Sequence, residues 1–201
     1  MEAKTRDALS WSKLRESMKN RNVLSISLVR SVEAFRMGVR TFLPLYFINV
    51  IGFTPEKSSI LYSILLSGGI IGPFFWGYLS DNLERKPLII GIMTASALGY
   101  FILNLVVGFW SLAILLFIIG FLRQTVIVQS ILSESVDRSQ LDQIFGFYFT
   151  LGFTISSFSS VIFGYIIELY GFNWGFTYIA AVTGISMLPA LFIQDPRKTR
   201  V

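Results

Sequence analysis

The chain has 201 residues, of which 53% are hydrophobic and only 14% charged, with a formal net charge of +5, no cysteine and no histidine. A water-soluble domain carries about 25% charge, so this composition excludes a protein whose whole surface faces water. The missing histidines remove the commonest proton relay and metal ligand, and without cysteine there is no disulfide framework to read.

Residues 1–21 hold six basic side chains, Lys4, Arg6, Lys13, Arg15, Lys19 and Arg21, and no apolar core, so they do not read as a cleavable signal peptide. Within them Trp11, Leu14 and Met18 share one helical face, which suits an interfacial helix over 9–20 or a solvated linker. Six long apolar runs follow, at about 22–51, 57–81, 86–107, 110–134, 141–169 and 173–194. Roughly 20 helical residues cross the ~30 Å hydrocarbon layer, and backbone polar groups find no water there, so each run is expected to be a transmembrane helix. The expected fold class is therefore an all-α integral membrane bundle: a basic tail or linker at 1–21, a bundle over 22–194 and a short tail at 195–201.

Basic residues set the topology. The N-terminal tail, Arg85 with Lys86, Arg138, and the tail residues Arg197, Lys198 and Arg200 fall on one side of six spans, twelve in all, against Lys57 alone on the other. Both termini are expected in the cytoplasm, in a plasma or inner membrane. The positive charge belongs to topology, and no basic face outside the tails supports a nucleic-acid partner.

The first span carries Arg30, Glu33, Arg36 and Arg40 within roughly a 120° arc of a helix. A charge at mid-depth costs at least about 2.5 kcal/mol on insertion scales. Such a face is tolerable when it lines a polar cavity or an interhelical ion-pair cluster. Arg30–Glu33 and Glu33–Arg36 have helical i,i+3 spacing, and one carboxylate leaves cationic charge in excess. Arg123 and Gln124 sit at comparable depth in the fourth span. The expected substrate or ion cavity is thus Arg30, Glu33, Arg36, Arg40, Arg123 and Gln124, its excess charge favouring an anionic solute.

Small residues mark the second and fifth spans. Gly68 and Gly72 are four apart, and Gly152, Ser156, Ser160 and Gly164 repeat at strict four-residue spacing. Such stripes let helix backbones approach closely, within one bundle or between two. Between the second and third spans stands Gly77-Tyr-Leu-Ser-Asp81-Asn-Leu-Glu-Arg85-Lys86-Pro87. This segment resembles the loop signature of the major facilitator superfamily, roughly G-x-x-x-D-x-x-G-R-K, with Glu84 where that pattern has glycine and Asn82 where it has a basic residue. The Phe-Leu-Pro-Leu-Tyr-Phe stretch at 42–47 resembles the first helix of the family's second half.

The resemblance implies a secondary transporter working by alternating access, driven by a proton or solute gradient. Six spans, rather than the family's twelve, imply its C-terminal half, folded as a three-plus-three inverted repeat. A partner half or a homodimer would complete it, with the small-residue stripes as the inter-half packing surface. It also implies a conformational latch of Gly77, Asp81, Arg85, Lys86 and Arg138, in which Asp81 accepts from Arg138 and from backbone N–H groups near Leu141. Glu33 is the one acid deep in a span, hence the candidate coupling group. Two other classes fit the same composition: a non-transporting assembly partner or truncated relic, and a channel or receptor. No nucleophile–base pair, metal-ligand cluster or phosphate loop suggests an enzyme or a cofactor.

Overall fold

The computed structural model describes Arg15 and residues 17–198, and from Arg21 onward its helices run in the order α1 Arg21–Ala34, α2 Arg36–Asn49, α3 Pro55–Asn82, α4 Arg85–Ile102, α5 Phe109–Phe121, α6 Thr125–Glu134, α7 Leu141–Tyr170, α8 Phe172–Ile185 and α9 Met187–Ala190, before a 3-10 turn at Pro196–Lys198. Most of the expected interfacial helix at 9–20 lies outside the described residues.

Local chemistry sets the helix ends. The Asn20 side chain caps α1 by accepting from the Asn22 and Val23 amides at 2.9 and 3.5 Å. Thr54 caps α3, whose first residue is Pro55, where a missing N–H costs nothing. Gly171 (φ +82°) makes the turn between α7 and α8, a backbone region that favours glycine.

Among the described residues, three segments are long and apolar enough to cross a membrane by length and composition: Pro55–Asn82, Phe109–Glu134 and Leu141–Tyr170. The other expected spans correspond to α1 with α2, to the 18-residue α4, and to α8 with α9. Two of these are interrupted, at Phe35 and at Ser186. The Phe109–Glu134 segment is interrupted too: Leu122 leaves helical dihedrals (φ −75°, ψ 74°), and Arg123 and Gln124 lie outside both α5 and α6.

The second span packs along the fourth, α3 on α5 and α6. The fifth packs along the first, α7 on α1 and α2. The third packs on the sixth, α4 on α8. Close approach depends on glycine at the α3–α5 contact: a Cβ at Gly68 or Gly72 would overlap the carbonyl of Phe117 or Phe121, and one at Gly120 would overlap that of Leu65. Gly68 and Gly72 were expected to face another half. They are buried against α5 of their own chain instead, because only a missing Cβ lets these two backbones touch.

Outward faces carry large apolar side chains. Phe74, Tyr78 and Ile70 of α3, Phe153, Phe158 and Val161 of α7, and Trp110 of α5 are each 65–78% exposed. A surface of this kind fits hydrocarbon rather than water. Inside, two apolar clusters fill the bundle. One joins Val23, Ile26, Met93, Ile131 and Ile144; the other joins Leu43, Phe47, Leu65, Leu116, Phe163 and Phe176.

A polar belt between two apolar cores: the candidate substrate cavity

A set of polar side chains on the first, third and fourth spans falls between the two apolar clusters. Glu33 and Arg36 separate Val29 from Val39, Ser96 separates Met93 from Tyr100, and Arg123 with Gln124 separates Ile119 from Ile127. The belt coincides with two helix breaks, at Phe35 in the first span and at 122–124 in the fourth. Breaks free backbone groups, which non-helical segments at membrane depth tolerate only beside protein or a cavity.

Glu33 is the hub. Its carboxylate, with a side chain 5% exposed, takes a 2.9 Å ion pair from Arg36 Nη2. The same Oε1 accepts a short hydrogen bond from Gln124 Nε2 across the two breaks. Gln124 is fully buried, and Arg36 Nη1 donates to Ser96 Oγ at 3.1 Å. One carboxylate therefore ties together the first, third and fourth spans. A buried pair of this kind is costly to break, since removing one partner leaves an uncompensated charge.

Arg30, Arg40 and Arg123 have no ion pair or side-chain hydrogen bond among the described residues, and the Nε atoms of Arg30 and Arg40 are buried without a partner. The i,i+3 pair expected between Arg30 and Glu33 does not form. Arg30 instead lies with its guanidinium carbon 5.2 Å from the centre of the Tyr148 ring, a cation–π geometry. Its guanidinium also rests on Gly152, where a Cβ would overlap it. Gly152, expected at an inter-half surface, faces Arg30 in its own bundle. Arg123 is placed similarly against α3, where a Cβ at Gly69 would come within 3.2 Å of Arg123 Nη1.

The remaining stripe residues divide. Ser160 Oγ is 3.3 Å from Thr41 Oγ1, Ser156 bonds its own helix at the Phe153 carbonyl, and Gly164 faces the Phe42 ring. These side chains are half-buried and engage within the chain.

At the signature loop, Gly77 meets Val126. Arg85 is 4% exposed and clamps Glu134, each terminal nitrogen 2.9 Å from one carboxylate oxygen. Asp81 and Arg138 are exposed, and the Asp81 carboxylate makes no hydrogen bond or ion pair among the described residues. The expected contacts of Asp81 with Arg138 and with the α7 N-terminus are thus absent here. Arg197 reaches in from the C-terminal side, donating to the Asp81 carbonyl at 3.2 Å and the Leu83 carbonyl at 3.0 Å. Lys86 lines an open cleft of about 780 Å³ with Ile90, Ile193 and Asp195.

Sequence reasoning missed Ser96, Tyr148, Gly69 and Glu134 as partners of these arginines. A lone serine in the apolar third span and the Tyr148–Gly152 spacing of four were the available signals.

The Major Facilitator Superfamily profile matches residues 26–201. The chain belongs to this superfamily. A Haemophilus influenzae protein named for metabolite transport is 24% identical over 179 residues, covering 85% of this chain and 42% of that protein. A bicyclomycin resistance protein homolog of Haemophilus influenzae is 24% identical over 180 residues, covering 87% of this chain and 44% of that one. Among solved structures, the POT family transporter PepTSo superposes with a TM-score of 0.77 at 15% identity, over 86% of this chain and 37% of its own. An auto-inhibited POT family peptide transporter gives 0.75 at 19%, over 89% and 37%. These similarities show the fold of a multi-pass membrane protein. The chain spans less than half the length of the relatives it matches.

Proposed function

We propose that this chain is one six-helix half of a secondary transporter, moving a small solute by alternating access when joined to a second half or a second copy. Superfamily membership supports transport, and the half-length match supports an incomplete pathway. The packing pattern supports an inverted repeat, because second-on-fourth and fifth-on-first exchange under inversion while third-on-sixth maps onto itself. Cytoplasmic termini follow from the basic asymmetry of the turns.

The observation that carries the reading is the Glu33 hub. A buried carboxylate bridging the broken first and fourth spans can hold them together, and can release Arg36 and Gln124 when a proton or a solute competes for it. Glu33 is thus the coupling group, with Arg30, Arg36, Arg40, Arg123 and Gln124 lining the path. The signature loop, through Asp81, Lys86 and Arg138, latches the cytoplasmic side in another state of the cycle.

The test is uptake into proteoliposomes under an imposed pH gradient, for a panel of labelled solutes, with this chain alone and with its completing half. Gradient-driven accumulation by wild-type protein and its loss in Glu33→Gln support the reading. Unchanged accumulation in Glu33→Gln removes Glu33 from coupling.

A further inference from the structure

We infer that the polar belt is a binding site for a small solute with two negative charges, a dicarboxylate or a phosphate monoester, gripped between Arg30 and Arg123. This rests on the transport reading for its context but not for its test. Four guanidiniums share one carboxylate, and Arg36 is the one engaged with it. Arg30, Arg40 and Arg123 remain without a counter-charge among the described residues. Unpaired guanidiniums at membrane depth are expensive, and intramembrane ionisable groups mark solute paths. Guanidinium geometry matches carboxylate and phosphate oxygens bidentately.

Arg30 and Arg123 are mounted alike. Arg30, on the first span, lies on Gly152 of the fifth; Arg123, on the fourth, lies on Gly69 of the second. These are the span pairs that pack together. Each glycine removes the Cβ that would push the guanidinium away from its neighbouring helix. Both cations flank one locus, for Arg123 adjoins Gln124, whose side chain bonds Glu33, and Arg30 lies three residues before Glu33 on the same helix. A solute with one anionic group at each arginine would draw the first and fourth spans together around Glu33. A singly charged solute would leave one of the two uncompensated, and a neutral solute both.

Gly152 provides the discriminating variant. The atoms its Cβ would meet are the mobile end of a side chain, so Gly152→Ala can fold while moving Arg30. Gly146→Ala, on the same helix with nothing within 4 Å, is the control. The experiment follows the thermal midpoint of the purified full chain in nanodiscs, alone and with any completing half, against succinate, inorganic phosphate and succinamide at constant ionic strength. Succinate or phosphate should raise the midpoint saturably and succinamide should not. Arg30→Gln, Arg123→Gln and Gly152→Ala should each weaken the apparent affinity about tenfold or more, with Gly146→Ala unchanged. A shift that chloride reproduces, saturation indifferent to both arginine variants, or no response to either dianion overturns the inference, the last pointing to acids of a partner half as the counter-charge. Uptake of a neutral solute without dianion binding would sink this inference and leave the transport reading standing. Dianion binding through both arginines without uptake of any solute would do the reverse.

Discussion

Arg85, at the start of α4, clamps Glu134, at the end of α6, through two 2.9 Å hydrogen bonds. The pair fastens the third span to the fourth at the end of the bundle where the signature loop lies. Arg85 is buried, while the Glu134 side chain is 31% exposed. Loss of the carboxylate is therefore worse than loss of the guanidinium, because it leaves the more buried charge unpaired. Glu134→Ala should lower the thermal midpoint in detergent more than Arg85→Ala does. A double-mutant cycle with Arg85→Gln and Glu134→Gln should give a coupling of about 1–3 kcal/mol. Additive effects would remove the contact from the structure.

The α3–α5 contact gives a steric prediction. Gly72→Ala and Gly120→Ala place a methyl group on opposing backbone, which cannot rotate away. Each should cost about 1–3 kcal/mol, as overpacking does. Gly91→Ala and Gly146→Ala point into open space and should be neutral or stabilising by up to about 1 kcal/mol through helix propensity. Thermal unfolding of the four purified variants checks the contrast; equal tolerance of Gly72→Ala and Gly91→Ala would break the packing assignment.

Topology is open to labelling. Thr54, Asn82, Arg138 and Asn173 are all exposed. The absence of native cysteine makes single-cysteine variants clean probes. Cysteines at 54 and 173 should react with an impermeant maleimide added to intact cells, and those at 82 and 138 should react only after permeabilisation. The reverse pattern would invert the bundle and reassign the signature loop to the outer face.

Acid should loosen the C-terminal turn. Burial alone would raise the Asp195 carboxyl, but hydrogen bonds from Arg197 and its charge hold it below the usual carboxylate range. A depressed folded-state pKa contributes stability above the unfolded value and loses it as pH falls through the folded one. The Asp195–Arg197 pair, at 2.9 Å, also positions Arg197 on the Asp81 and Leu83 carbonyls. As pH falls below the usual carboxylate range the turn should open, and a cysteine placed at Asn82 should gain reactivity there with an acid-tolerant disulfide reagent. Asp195→Asn should make that reactivity independent of pH over this range. An identical acid response in Asp195→Asn would show that another group governs the end of α3.

Hydropathy and the placement of charge already dictate the class and the depth of the chemistry. Runs such as 141–169 can satisfy their backbone in lipid only as helices, so helix positions follow from hydropathy. Arg30, Glu33, Arg36 and Arg123 had to meet something polar because lipid cannot solvate them. Membership of the superfamily was legible in the Gly77–Pro87 segment. What the sequence could not supply were partners, since a periodic pattern gives the face of a helix but not what faces it. The spacing allowed Arg30 or Arg36 to pair with Glu33, and the choice fell to Arg36 because Tyr148 and Gly152 of α7 hold Arg30 elsewhere. Glycines spaced by four suit an inner contact as well as an outer one. Only tertiary packing, which sets the Gly68 and Gly72 backbones against Phe117 and Phe121, turned that stripe inward and left Phe74 and Tyr78 facing out.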